Sequence, residues 1–292
     1  MMGEESIRFR PVRREDLPVL RAIAAATWDG EDYLAAVAEN WIADDGYFAG
    51  ILLDGRLVGC GRVLPLAPEI AWLEALRIEP EARGRGLGRR MSAHLLAHCL
   101  ERGYRRLLFS TYFRNEETIR ITEPVGFRRI GVYTNLENRE PAAGMRSRGP
   151  VPEVVAEDGL PEIDAILGND WLFVPPEAQR RDRFFPRAVT LRSGPVRMVV
   201  CDNLKLPRTV LEIAWFEGDD RVAIGACLRE ALRRADREGR DRVHLMAPAG
   251  TELGPFRALG FDPFEKSEDV FLYEGLADPR TRGSTSLRPP RP

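Results

Sequence analysis

The segment Arg83-Gly84-Arg85-Gly86-Leu87-Gly88 carries the most specific chemistry in the sequence. Glycine lets a backbone approach a ligand closely and adopt positive φ. An apolar run, Trp72–Ile78, precedes it and a helical pattern, Leu87 to about Glu101, follows it. The first turn of such a helix presents amides without internal partners at the positive end of its dipole. Together these make an anion cradle suited to a pyrophosphate. Arg83, Arg85, Arg89 and Arg90 add charge around it. Other phosphate loops fit less well. Neither lysine follows a glycine, as a P-loop requires, and the third glycine comes one residue early for the dinucleotide fingerprint.

Glu74 is the candidate general base. It lies in the run before the glycine turn, where alternation puts it on one face with Trp72, Leu76 and Ile78. A carboxylate among apolar neighbours titrates above its usual range, which suits proton abstraction near neutrality. A structural role for Glu74 stands beside this reading. His94 and His98, four residues apart, share a helix face. No third ligand accompanies them, so they read as surface residues and no metal site is expected. Trp28-Asp29-Gly30-Glu31-Asp32-Tyr33 interleaves aromatics with three carboxylates. That lining suits a cationic amine, although a solvated helix start has the same composition.

The elements that must position these residues follow from periodicity and turn signals. Strands are predicted at Ile7–Val12, Tyr47–Leu53, Leu57–Leu64, Trp72–Ile78, Arg106–Tyr112 and Arg128–Leu136. Helices are predicted from Leu17 to about Trp28, over Asp32–Ala43, from Leu87 to about Glu101, and over Glu116–Pro124. The alternation implies an α/β fold whose sheet is mixed because of the hairpin at Asp54-Gly55. The breaker-rich stretch 139–152 reads as a linker, after which the plan restarts. Strands are predicted at Pro195–Cys201, Thr209–Phe216, Val243–Ala247 and Asp269–Tyr273, and helices at Val222–Arg237 and Leu253–Leu259.

The halves can be laid over one another. Residues 101–110 match 237–246, Gly126-Phe127 matches Gly260-Phe261, and residues 73–78 match 211–216. A divergent internal duplication accounts for three blocks in the same order. Glu212 then stands where Glu74 stands. Gly84, Gly86 and Gly88 fall on Asp220, Val222 and Ile224, so the second half is expected to lack the cradle.

Arg83-x-x-Gly86-x-Gly88 between strand and helix resembles the acetyl-CoA loop of the GNAT superfamily of N-acyltransferases. Asn115-x-x-Thr118 followed by Val125-Gly126-Phe127 resembles that superfamily's next motif, and the whole first half follows its order of elements. The resemblance implies two GNAT-like domains, each a mixed, mostly antiparallel twisted sheet flanked by helices: 1–138 binding acetyl-CoA and, beyond the linker 139–152, a degenerate domain 153–276; the composition of 277–292, rich in Arg, Pro, Ser and Gly, reads as a disordered tail. It implies that backbone amides across Gly84, Arg85, Gly86, Leu87, Gly88 and Arg89 bind the pyrophosphate, with Arg83 at the loop's entry. Leu76 and Ile78 would pair with the pantetheine arm, the Leu76 amide would face the thioester oxygen, and Asn115 would line the sulfur end. The superfamily's usual acid, a tyrosine, is here replaced by Thr122, and Tyr112 is the nearest substitute. The Trp28–Tyr33 segment would meet the acceptor.

Composition bounds the rest. The chain has 292 residues, 44% of them hydrophobic, with a formal net charge of −2, so no global basic field for nucleic acid exists. No apolar run is long enough for a membrane span. The four cysteines are widely spaced and read as reduced thiols of a cytoplasmic protein. The expected activity is acetyl transfer from acetyl-CoA to a primary amine of a small molecule, without a metal, by a fused pseudo-dimer acting as monomer or by a homodimer. Transfer to a protein amine and a catalytically weak acyl-CoA sensor remain as alternatives.

Overall fold

The computed structural model describes residues 6–30, 32–144 and 153–276. Residues 145–152 of the expected linker and the expected tail 277–292 lie outside these. The chain forms β1 (Ile7–Pro11), α1 (Leu17–Ala25), α2 (Leu34–Ala43), β2 (Tyr47–Leu53), β3 (Arg56–Ala67), β4 (Ile70–Ile78), α3 (Leu87–Glu101), β5 (Arg106–Tyr112), α4 (Glu116–Thr122) and β6 (Arg128–Asn138). It continues with α5 (Pro141–Gly144), β7 (Val155–Asp158), β8 (Leu167–Asn169), β9 (Leu172–Val174), α6 (Arg181–Phe184), β10 (Val189–Ser193), β11 (Val196–Asp202), β12 (Val210–Glu217), α7 (Arg221–Arg237), β13 (Arg242–Pro248), α8 (Gly254–Arg257), β14 (Asp262–Pro263) and β15 (Val270–Leu276). The predicted first helix is shorter than expected. It ends at Ala25, and Trp28 sits in a separate single turn with φ +52°.

Two compact units result. Among the described residues, 6–109, 116–128 and 273–276 make the first, and 110–115, 129–144 and 153–272 the second. Chain order places a division after residue 138, whereas compactness divides the chain elsewhere. In the first unit, β1 to β4 pair antiparallel in sequence. β5 joins β4 in parallel, and β15 follows β5 in the strand order. In the second unit the order β7-β10-β11-β12-β13-β6 repeats this plan, with a parallel pair again between the fourth and fifth strands. The sixth strand is the exception. The second unit uses residues 129–138 of β6, and the first uses residues 273–276 at the end of the chain.

Packing follows from the alternation of apolar residues. In the first unit α1 and α2 cover one face of the sheet, through Leu20, Leu34, Val37 and Trp41 against Phe48, Leu57, Cys60 and Ala75. α3 covers the other face. Gly61 admits it, since a Cβ there would fall 2.8 Å from the Leu95 side chain. In the second unit, α7 packs Cys227, Leu228, Ala231 and Leu232 against Val200, Leu211, Ile213, Val243 and Leu245. The four cysteines are unpaired and buried, and burial raises the Cys60 and Cys99 thiols to about 12. No helix among the described residues is long and apolar enough to cross a membrane.

Candidate functional site

The site of the first unit is built where β4 and β5 part. Their parallel pairing covers only Ile70–Trp72 against Arg106–Leu108, so Leu73–Ile78 have no register partner on β5. On the other side β4 is bulged. Cys60 pairs with Arg77 and Arg62 with Glu74, leaving Ala75 and Leu76 without partners in register. Ala75 takes φ +57°, a conformation costing a non-glycine residue about 1–2 kcal/mol. The extra residue reverses the alternation beyond it. Glu74 therefore shares a face with Trp72 as expected but not with Leu76 and Ile78, and this corrects the sequence reading.

The neighbours of Glu74 also differ from expectation. Instead of an apolar setting, it has an ion pair with Arg62, its direct cross-strand partner. Arg62 is only 2% exposed. Its second terminal nitrogen binds Asp44, at the end of α2, and its guanidinium carbon lies 4.4 Å from the centre of the Trp41 ring. Only Glu74 Oε1 is engaged, and Oε2 accepts no bond from any described residue.

Beyond β4, Ala82 is buried in the turn leading to the glycine loop, and Arg83 donates from Nε to the Ile78 carbonyl at 3.1 Å. Gly84 and Gly86 have φ +77° and +72°, and a Cβ at either would meet no atom within 4 Å. Gly86 caps α3 with no side chain bonded to the first-turn amides. Leu87, 1% exposed, anchors that turn in the core. Gly88 faces α4, where a Cβ would lie 3.8 Å from Ile121. Arg85, Arg89 and Arg90 are exposed. The chemistry fits a diphosphate: free amides, open space above two left-handed glycines, and cations around it.

The other candidates are distributed as follows. Asp32 is turned inward. It accepts from Arg77 Nε at 2.6 Å and from the Leu34 amide at 2.9 Å, so it ties the start of α2 to β4. The Arg77 guanidinium carbon stands 5.8 Å from the centre of the Tyr33 ring. Trp28 is 49% exposed. Glu31 and the side chain of Asp29 lie outside the described residues. Thr122 donates its hydroxyl back to the Thr118 carbonyl at 2.8 Å. Tyr112 and Asn115 belong to segment 110–115, which falls in the second unit. Tyr112 packs edge-on against Phe113 and Phe264.

His94 and His98 are half-buried rather than free on the surface. His94 stacks on Phe9 at 4.2 Å and its Nε2 meets the Tyr47 hydroxyl at 2.8 Å, while His98 stacks on Tyr47 at 3.9 Å. Burial lowers the pKa of both. Among the described residues no group of three or more His, Cys, Asp or Glu is placed to hold a metal ion.

Sequence reasoning missed Arg62, Asp44 and Arg77. A signal for Arg62 existed: a single charge inside the apolar run Leu57–Ala67 needs a buried counterion, and Glu74 is the single acid of the next strand.

The second unit treats the helix start differently, and its cap corrects the sequence alignment: Asp220, laid there on Gly84, holds the N-cap place of Gly86. Asp220 caps α7, its Oδ1 accepting from the amides of Val222 at 2.9 Å and Ala223 at 3.0 Å. The β8–β9 hairpin lies where β12 and β13 part. A Cβ on Gly168 would be 3.6 Å from Met246 and 4.0 Å from the Ala214 carbonyl, just past the last paired residues Ile213 and Leu245. Glu212 is fully buried and bonds His244 Nδ1 at 2.8 Å and Asn203 at 2.9 Å.

Residues 14–127 match the family model described as Acetyltransferase (GNAT) family. A mycothiol acetyltransferase of Thermomonospora curvata is 30% identical over 114 residues, and this stretch covers 39% of the present chain and 38% of that relative. A GCN5-related N-acetyltransferase from Sphaerobacter thermophilus has a TM-score of 0.63 at 14% identity, over 94% of this chain and 96% of its own. A tandem GNAT protein from the clavulanic acid biosynthesis pathway has a TM-score of 0.63 at 16% identity, over 94% and 99%. These likenesses concern the fold, and they extend through both units.

Proposed function

We propose, from the match of residues 14–127 to the GNAT-family model and the likeness in fold to a tandem GNAT protein, that the protein is an acetyl-CoA-dependent N-acetyltransferase acting on a primary amine of a small molecule. The observation that carries the reading is the uncapped start of α3 beneath Gly84 and Gly86, next to an unpaired length of β4. Acetyl-CoA supplies the acetyl group as a thioester. Amides from Gly84 to Arg89 would hold its pyrophosphate, and the backbone of Leu76 and Ile78 its pantetheine arm. The bulge at Ala75 leaves Leu76 out of the β3 register, which suits its amide to stabilising developing negative charge on the carbonyl oxygen. Glu74 Oε2 is the acceptor for the ammonium proton, because the attacking amine must be neutral. Asn115 and Tyr112 are assigned to the sulfur end. The Trp28–Tyr33 segment is assigned to the acceptor, with Asp32 acting through Arg77. The functional division follows the chain halves, 1–138 binding acetyl-CoA and 153–276 degenerate. The four buried free thiols support a cytoplasmic location.

One observation favours a second reading, an acyl-CoA sensor. Thr122 offers no phenol, and its hydroxyl is spent on Thr118. The test is CoA release from acetyl-CoA by the full chain with a diamine, an aminosugar and an arylalkylamine. Turnover with any of them supports the enzyme. Tight acetyl-CoA binding without turnover on these or on peptide amines supports the sensor.

A further inference from the structure

Arg62 is a costly residue. A guanidinium buried in a strand must be repaid by partners of good geometry, and here they come from three elements. One terminal nitrogen binds Glu74 and the other Asp44. The plane stacks on Trp41. Nε passes over Gly46, where a Cβ would fall 2.9 Å away, so only glycine leaves room for the guanidinium at this setting. The side chain is thus fixed from α2, from the start of β2 and from β4 at once. Its Glu74 contact lies immediately before the bulge at Ala75.

This setting fixes the aim of Glu74. Holding Oε1 alone orients the carboxylate and leaves Oε2 open. The charged groups on this face are Arg62 from β3 and Asp44 from the end of α2. Farther along β4 stands the Arg77–Asp32 pair, which closes on itself. Two carboxylates share one guanidinium, so the cluster keeps one negative charge for an arriving ammonium.

We propose that Arg62 is a positioning residue for acetyl transfer: it holds Glu74 by one oxygen and leaves the other aimed and free, and so governs how readily that oxygen takes the acceptor amine's proton. The inference rests on the reading of Glu74 as proton acceptor.

The direct test is a titration of Glu74 by carboxyl 13C NMR in the 13C-glutamate-labelled full chain, its signal assigned by loss in Glu74→Gln. In Arg62→Gln the Glu74 midpoint should move up relative to the wild type, because a cation at contact is removed and Asp44 remains. Asp44→Asn, at a partly exposed position, should move it down, since Arg62 then serves one carboxylate; this variant keeps the test open if Arg62→Gln does not fold. The acidic limb of the rate profile, with whichever amine of the three above turns over, should follow the NMR midpoint in each variant. A purely structural role would lower rates without moving either. Unmoved midpoints in the folded variants overturn the proposal. Wild-type rate and profile in Glu74→Gln would instead overturn the assignment of the base.

Discussion

The carboxylate of Asp220 accepts the amide of Val222 at 2.9 Å, and thereby fills in the second unit the place that the first leaves open above Gly86. Two further features close the second unit. Val222 is 54% exposed at the helix start, and the β8–β9 hairpin occupies the gap beyond Ile213 and Leu245. A carboxylate on the helix amides excludes a phosphate from the same donors. Calorimetric titration of the full chain with acetyl-CoA should therefore saturate at one per chain. A stoichiometry of two would restore the second unit as a working site.

Gly86→Asp should bring a carboxylate to the start of α3, the kind of group that Asp220 supplies to α7. Asp is a good helix cap, so α3 should persist, at a cost near 1 kcal/mol for the left-handed φ of +72°. The side chain enters the open space and repels the phosphate. Acetyl-CoA affinity should fall at least ~10²-fold while the circular dichroism spectrum is retained. Unchanged affinity in the folded variant would remove the loop from the site.

Much of this plan was legible in the sequence, and the failures have physical causes. The glycine loop was readable because left-handed turns select glycine and the strand-to-helix context is local. The repeat was readable because apolar periodicity survives divergence. The bulge at Ala75 was not, since an alanine at φ +57° bears no turn signal and only pairing with β3 reveals the extra residue. The β8–β9 hairpin escaped notice because its strands are three residues each, too short for a period to register. The exchange of the sixth strand is a long-range choice between two similar partners, on which local patterns are silent.

Glu74→Gln should lower kcat by ~10²–10⁴ and abolish the acidic limb of the pH–rate profile, since an amide cannot take the ammonium proton. Tyr112→Phe separates a phenolic acid from an aromatic that only packs against Phe113 and Phe264. If the phenol protonates the leaving thiolate, the basic limb should be lost in the phenylalanine variant; an unaltered profile assigns Tyr112 to packing.

Stability should fall on the alkaline side through His244. Burial opposes its charge, but the charge and hydrogen bond of Glu212, with Asp170, overcome this and raise it to about 9. The folded value exceeds the ordinary 6.5, so the stabilisation is complete below about pH 6.5 and disappears as pH rises through about 9. Thermal unfolding from pH 6 to 10 should show a declining Tm in the wild type and a flatter profile in His244→Gln. Equal slopes would place the alkaline loss in other groups.

The first unit should depend on residues 273–276 of β15. Tyr273, 2% exposed, stacks on Phe109 at 5.0 Å and donates its hydroxyl to Glu123 at 3.1 Å. Glu274 binds Arg106 at 2.7 Å and Arg128 at 2.9 Å, and Gly275 admits the Phe127 ring, which would lie 2.7 Å from a Cβ there. These contacts tie β5 and the turn after α4 to residues distant in sequence. Tyr273→Ala should destabilise this unit by about 3–5 kcal/mol, as other buried aromatic truncations do. A fragment of residues 1–138 retains β6 but lacks 273–276, so its sheet ends at β5 with that edge uncovered. It should lack a cooperative thermal transition and should not bind acetyl-CoA, whereas the full chain does both. A folded, acetyl-CoA-binding 1–138 would show that the first half is self-sufficient and that the exchanged strand adds nothing essential.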